Sequence, residues 1–310
     1  MRIGIDIGGS HVGVGLIDEN GKIILKKEKD LLKEHKENIQ DIIEITIINY
    51  INEIIEEQKI IKTDLKFIGI AFPASFRNGK IGSSVNLGAN GEILRKNIQS
   101  KFSIPVYIRN DAKCAAICEK KYGSLKPYSD CIFLTIGTGI GGAAFVNNKL
   151  FAAPENDRFK VGHITIQKDG PKCKCGKNGC FENYASITAL KRNIKEEYNI
   201  ENEMTGKELY DFLLKNENDK KMLDIIDKYI ENLSIGISNL INLFEPEAIS
   251  IGGSFVHYKE IFFEKLKSKL EENNLLYKDN IPKLFLANYK NDAGMIGASQ
   301  IEEYLKAFDN

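Results

Sequence analysis

Apolar positions fall along this chain in short blocks that change period. Arg2 to Asp6 reads as a buried strand, Gly8 and Gly9 break it, and Val12 to Asp18 followed by Glu19-Asn20-Gly21-Lys22 reads as the arm and turn of a hairpin. The same design returns later: Cys131 to Ile136 as strand, Gly137-Thr138-Gly139-Ile140-Gly141-Gly142 as turn, then Ala143 to Val146 with Asn147-Asn148 as the next hairpin. Ile7-Gly8 thus corresponds to Ile136-Gly137, and Asp18 to Asn147.

Between the repeats, Ile39, Ile42, Ile43, Ile47, Ile51, Ile54 and Ile55 recur at helical spacing and predict one buried helix face. Phe67 to Phe72 and Pro105 to Ile108 predict strands, and Asn110-Asp111 opens a helix bearing Ala112, Ala115, Ala116 and Cys118. Past the second hairpin comes a loop-rich insert from Phe151 to Tyr184. Helices follow near Ile187–Tyr198, Lys207–Leu214 and Lys220–Phe244, the last stopped by Glu245-Pro246. Ala248 to Ile251 is a strand ending at Gly252-Gly253-Ser254, and Ala293 to Phe308 reads as one terminal helix. Alternating strands and helices predict an α/β class. The internal repeat predicts two domains: 1–115, completed by a C-terminal helix over 293–310, and 116–292 with a metal-binding insert.

Composition narrows the function. With 310 residues, and Lys+Arg equal to Asp+Glu at 43 each, the chain has no global field for nucleic acid or an anionic membrane. No apolar run reaches the roughly 20 residues a bilayer helix needs, and no signal peptide is evident, so a cytoplasmic protein acting on a small molecule is expected. Of six cysteines, Cys173, Cys175 and Cys180 crowd together, which suits a metal better than a disulfide framework.

Two glycine turns after strands present backbone N–H groups that suit phosphate oxygens. Neither opens a helix or fits the Walker A or dinucleotide spacing. Each alone is an ordinary hairpin; duplicated, they imply two lobes offering phosphate cradles to one cleft. Asp6 ends an apolar strand, where either a Mg²⁺ ion carried by ATP, reached through water, or nearby backbone N–H groups would satisfy it. Asp111 stands at a helix start, either as a plain cap or as a fixed base for an attacking hydroxyl. His163 with Cys173, Cys175 and Cys180, spaced by the turn glycines Gly176 and Gly179, offers the three thiolates and one imidazole of a closed tetrahedral zinc site. Cys114, Cys118 and Cys131 read as small core residues.

These residues resemble the ROK family of bacterial sugar kinases and regulators nearly end to end. The likeness is carried by Asp6-Ile7-Gly8-Gly9-Ser10, Asn110-Asp111-Ala112-Lys113-Cys114-Ala115-Ala116 and the second glycine turn. It continues through Gly162-His163, the run from Cys173 to Glu182, Gly252-Gly253 and Gly294-Met295-Ile296-Gly297-Ala298. The resemblance implies an actin-like ATPase (ribonuclease H-like) fold and transfer of the ATP γ-phosphate to a sugar hydroxyl, commonly the 6-OH of glucose or a related hexose. It makes Asp111 the base, places Asn86, Asn110, Glu182 and the second ring nitrogen of His163 on the sugar, and assigns Gly9, Ser10, Thr138, Gly139 and Gly253, beside Asp6 and Gly8, to the nucleotide. A homodimer is implied at family level only. Lys160 departs from the pattern, standing where the family usually has a sugar-binding glutamate. An acceptor has become a donor-only cation, so Lys160 either pairs with Glu182, changes the sugar or lowers activity. Ala74 after Pro73 replaces the usual glycine near the sugar. N-acetylmannosamine, N-acetylglucosamine, fructose and allose remain alternative substrates, and a sugar-sensing regulator is the rival reading. Another actin-like ATPase, such as a chaperone or acyl-phosphate enzyme, would have no evident use for the cysteine cluster.

Overall fold

The computed structural model describes the chain apart from Ser10 and residues 32–37, 85–86, 152–155, 275–280 and 306–310. It divides into two units. The first comprises Met1–Pro127, Lys149–Phe159 and Asn288–Asn310; the second comprises Tyr128–Asn148 and Lys160–Ala287.

In the first unit, β1 (Arg2–Ile7), β2 (His11–Ile17) and β3 (Ile23–Asp30) form an antiparallel meander, and β4 (Ile68–Phe72) and β5 (Val106–Asn110) add in parallel, giving the order β3-β2-β1-β4-β5. Ile3, Ile5 and Ile7 are fully buried, as a strand covered by helices requires. Helix α1 (Ile39–Glu57) buries Ile39, Ile43, Ile47, Ile51 and Ile54 in the same core, while Ile42 and Ile55 flank the stripe half-buried. Helix α2 (Gly91–Phe102), which the sequence pattern did not announce, starts with the Asn90 side chain accepting from Ile93 N–H at 3.0 Å.

The predicted boundary at 115/116 would cut helix α3 (Asp111–Tyr122), which is continuous; the chain leaves this unit only after Pro127. Helix α3 belongs here because it packs at backbone distance on α9 (Ala293–Ala298). A Cβ on Gly297 would lie 1.7 Å from the Cys114 carbonyl oxygen, so only glycine permits the approach. The segment Lys149–Phe159 returns to this unit through Asp157, whose carboxylate accepts from Phe76 N–H at 2.8 Å while its own N–H donates to the Phe76 carbonyl at 2.9 Å. The single terminal helix expected over 293–308 is broken: α9 ends at Ala298 and α10 runs Ile301–Leu305. At the break, the Ser299 hydroxyl donates to the Ile296 carbonyl at 2.7 Å, and fully buried Gln300 accepts from Arg2 and Lys121 at 2.8 and 2.9 Å. These tertiary bonds outweigh continued helix.

The second unit repeats the plan. β6 (Cys131–Ile136) and β7 (Ile140–Val146) are antiparallel, and β8 (Ala248–Gly252) and β9 (Lys283–Leu286) extend the sheet in parallel, in the order β7-β6-β8-β9. The turn is one residue shorter than in the first unit: Ile136↔Ile140 encloses three residues, where Ile7↔Val12 encloses four. The positive φ of Asn147 and Asn148 closes the hairpin after β7 as their sequence predicts.

Among the described residues, the insert holds little regular structure beyond a 3₁₀ turn at Val161–His163 and the short α4 (Glu182–Ala185). Helices α5 (Ile187–Tyr198), α6 (Gly206–Lys215), α7 (Lys220–Phe244) and α8 (Lys259–Asn273) follow. Ser186, Thr205 and Asp219 cap the first three with side-chain oxygens, Thr205 in a capping box with Glu208. No helix among the described residues is long and apolar enough to cross a membrane.

Candidate functional site

The first unit gathers Asp6, Gly8, Gly9, Asn110 and Asp111. Asp6 lies near the end of β1, paired with Gly13 on one side and Ala71 on the other. Its carboxylate faces His11 (Nε2–Oδ2 3.7 Å), and this neighbour raises the His11 pKa above its ordinary value. His11 was not singled out in the sequence, where it reads as an ordinary strand residue. Helix α9 also crowds Asp6, because a Cβ on Gly294 would lie 2.7 Å from Asp6 Oδ1. The turn is closed by Gly8 N–H donating to the His11 carbonyl at 3.0 Å. Beyond the Gly9 Cα there is open space to 4 Å, so a ligand can approach the backbone there. Ser10 and Asn86 lie outside the described residues.

Asn110 ends β5 and occupies the cap position of α3, but its side chain makes no cap bond. Its amide donates instead to the Ala74 carbonyl at 3.2 Å, tying β5 to the loop after β4. Asp111 is therefore the first helical residue rather than the cap, and its carboxylate accepts from Ala112 N–H at 2.8 Å. Burial, chiefly, pushes its pKa up to about 6; the nearby charges of Asp6 and Asp157 add to the rise, against the lowering by the Ala112 hydrogen bond. A carboxylate so placed is ionised at neutral pH yet basic enough to take a proton.

The second unit gathers Thr138, Gly139, His163, Glu182, Gly253 and the cysteines. Gly137 N–H donates to the Gly139 carbonyl at 2.9 Å, and the Gly137 carbonyl accepts from Ile187 N–H at 2.9 Å, which fastens the turn to the start of α5. Thr138 is exposed at its tip. Glu182, expected only as a sugar contact, reaches the same turn: Oε2 accepts from Ile140 N–H at 2.8 Å, and a Cβ on Gly139 would lie 2.3 Å from it. Gly253 follows β8 at φ 74°, and a Cβ there would meet the Ile136 carbonyl oxygen at 2.6 Å.

His163 Nδ1 lies 3.7 Å from Cys173 Sγ, Cys175 and Cys180 sulfurs are 3.5 Å apart, and all four donor atoms fall within 4.8 Å of one another. Thiolates bound at about 2.3 Å around a tetrahedral ion stand about 3.8 Å from each other, so this donor set could hold one closed four-coordinate metal. The turn is built for it: Cys173 N–H donates to the Lys177 carbonyl at 2.7 Å, and Gly176 and Gly179 adopt φ of 94° and 68°. Because Nδ1 faces the sulfurs, Nε2 is the ring nitrogen left for another partner. Lys160, exposed, immediately precedes the Val161–His163 turn.

Two α/β units, each opened by a strand, glycine turn and antiparallel return and extended by parallel strands, have the fold of the actin-like ATPases. The solved ROK glucokinase of Streptomyces griseus, crystallised with glucose and AMPPNP, has this fold: it is 24% identical, with TM-score 0.78 over 97% of this chain and 98% of that one. The chain belongs to the ROK family, whose model matches residues 2–303. Among curated relatives it is 31% identical to the xylose repressor of Bacillus spizizenii (96% of this chain, 76% of that one) and 30% identical to the glucokinase of Thermotoga maritima (96% of both).

Proposed function

We propose that this chain transfers the γ-phosphoryl group of ATP to a hexose hydroxyl, the 6-OH of glucose or a related sugar, with Asp111 as general base. The observation that carries this reading is Asp111: a desolvated carboxylate, fixed at a helix start by Ala112 N–H, with its pKa pushed up to about 6. It takes the hydroxyl proton as that oxygen bonds to the γ-phosphorus, the bond from phosphorus to the β,γ-bridging oxygen breaks, and ADP leaves. In-line positioning and charge neutralisation supply the remaining acceleration. The Gly8-Gly9-Ser10 and Thr138-Gly139 turns, with Gly253, bind the nucleotide, and Asp6 holds the nucleotide's Mg²⁺ through water. Asn86, Asn110, Glu182 and His163 Nε2 bind sugar hydroxyls, while Lys160 modifies the preference. His163, Cys173, Cys175 and Cys180 would hold a zinc ion that would supply no chemistry to the transfer but would close the insert and fix the His163 ring.

The test is ADP release by purified protein given ATP, Mg²⁺ and a panel of hexoses and N-acetylhexosamines. One sugar should drive turnover. Tight binding of a sugar without ADP release would instead support a sensor, the reading favoured by the repressor among the relatives and by Lys160. Repeating the panel with Lys160→Glu shows whether that cation sets the sugar.

A further inference from the structure

Helix α3 carries a second carboxylate two turns beyond Asp111. Glu119 is fully buried, and both of its oxygens are satisfied. Oε1 accepts from Asn288 N–H at 2.7 Å and Tyr289 N–H at 2.9 Å; Oε2 accepts from Ser124 N–H at 3.0 Å and the Ser124 hydroxyl at 2.9 Å. Its main-chain carbonyl accepts from Gly123 and Leu125 N–H at 3.0 and 3.2 Å. A Cβ on Gly123 would lie 2.1 Å from Oε2, so the loop is shaped around the carboxylate. Lys120 Nζ reaches the Lys126 carbonyl at 3.5 Å, and the Tyr289 hydroxyl donates to the Tyr122 carbonyl at 3.4 Å.

These partners share one property. The chain first leaves the first unit after Pro127 and returns for the last time at Asn288. One oxygen of Glu119 therefore holds the segment leading out, and the other holds the first two residues leading back. Filling such a site with a carboxylate rather than an apolar side chain costs desolvation, which only several directed hydrogen bonds repay.

We propose that Glu119 is a clamp that fixes both chain crossings to the helix bearing Asp111, and so acts as a positioning residue for that base. The clamp itself stands on the geometry; its catalytic consequence rests on the reading of Asp111 given above. A helix rises about 1.5 Å per residue, so the eight-residue interval puts the clamp about 12 Å from the base along a stiff element. Displacement of either crossing is carried to Asp111.

Hydrogen–deuterium exchange of the full chain, wild type against Glu119→Gln and Glu119→Asp, tests this without requiring turnover. Glutamine keeps the shape but turns one acceptor into a donor facing donors. At least tenfold faster exchange is expected in peptides covering 123–128 and 287–292, and also at Ala112 to Ala115 in the first turn of α3, with α7 unchanged. The aspartate variant, which retains the charge on a shorter arm, should fall between. Loosening of only one crossing, or wild-type protection at Ala112 to Ala115, overturns the proposal. Where the wild type turns over, kcat of Glu119→Gln should fall at least tenfold with KM for sugar unchanged; unchanged kcat beside loosened crossings would remove the positioning role. A wild type without turnover defeats the kinase reading and leaves the exchange result to decide the clamp.

Discussion

Replacing Asp111 by asparagine should remove turnover and make the protein more stable at neutral pH. Asparagine keeps the side-chain shape and the oxygen that accepts from Ala112 N–H, but it carries no charge to desolvate and none to repel Asp6 and Asp157. The folded-state pKa of about 6 stands above the ordinary 3.8. The sign follows from that order: the folded protein holds this proton more tightly than the unfolded chain, so stability falls as pH rises from about 4 through about 6 and the full cost is present above that. About two pK units at about 1.4 kcal/mol each bound the cost near 3 kcal/mol, and partial exposure of the side chain lowers the expected gain to about 1–3 kcal/mol. Urea unfolding of both proteins at pH 7.5 and pH 4 measures it. The variant should lead at pH 7.5, and its advantage should shrink to near zero at pH 4. An equally large gap at both pH values, or a variant less stable than wild type at pH 7.5, would refute the reasoning. In the kinase assay, wild-type activity should rise with pH through about 6, and the variant should lose roughly 10² to 10⁴ in rate while still binding sugar.

Metal analysis of protein purified without added metal should find about one zinc per chain. Cys173→Ser or Cys180→Ser should lower the melting temperature of the second unit, and a metal-free protein of equal stability would reject the site. Gly297→Ala should destabilise by about 2 kcal/mol or more despite the better helix propensity of alanine, because the added methyl would meet the Cys114 carbonyl at 1.7 Å; a neutral result in thermal melts would show that α9 and α3 can part cheaply. Tyr229→Phe should be neutral or stabilising by about 1 kcal/mol, since the buried Tyr229 hydroxyl has no hydrogen-bond partner among the described residues. A clear loss of stability there would reveal a partner, such as a buried water, that the hydroxyl needs.

The periodic parts of the fold were legible because burial writes itself into sequence. The isoleucine stripe of α1, the duplicated strand, glycine turn and hairpin, and the cysteine and histidine spacing in the insert each announce their element within a short window. Of the candidate site, Asp111 and the four metal-site donors stood out by local pattern. His11 beside Asp6, and the bond from Glu182 to Ile140 N–H, did not, since each joins positions whose meeting depends on strand register or on the insert folding back.

By itself, then, the sequence determined most of the strands, helices and turns, though not α2, α8 or β9, and it marked side chains that can ligate a metal or accept a proton. Tertiary structure alone decided that α3 stays whole and belongs to the first unit, that the terminal helix breaks at Ser299 and Gln300, and that one buried carboxylate, Glu119, ties together Ser124, Asn288 and Tyr289. The reason is range. Propensity and periodicity act over a few residues, whereas a desolvated polar group takes whatever donors the packed chain brings to it, and those lie at sequence distances that no local pattern encodes.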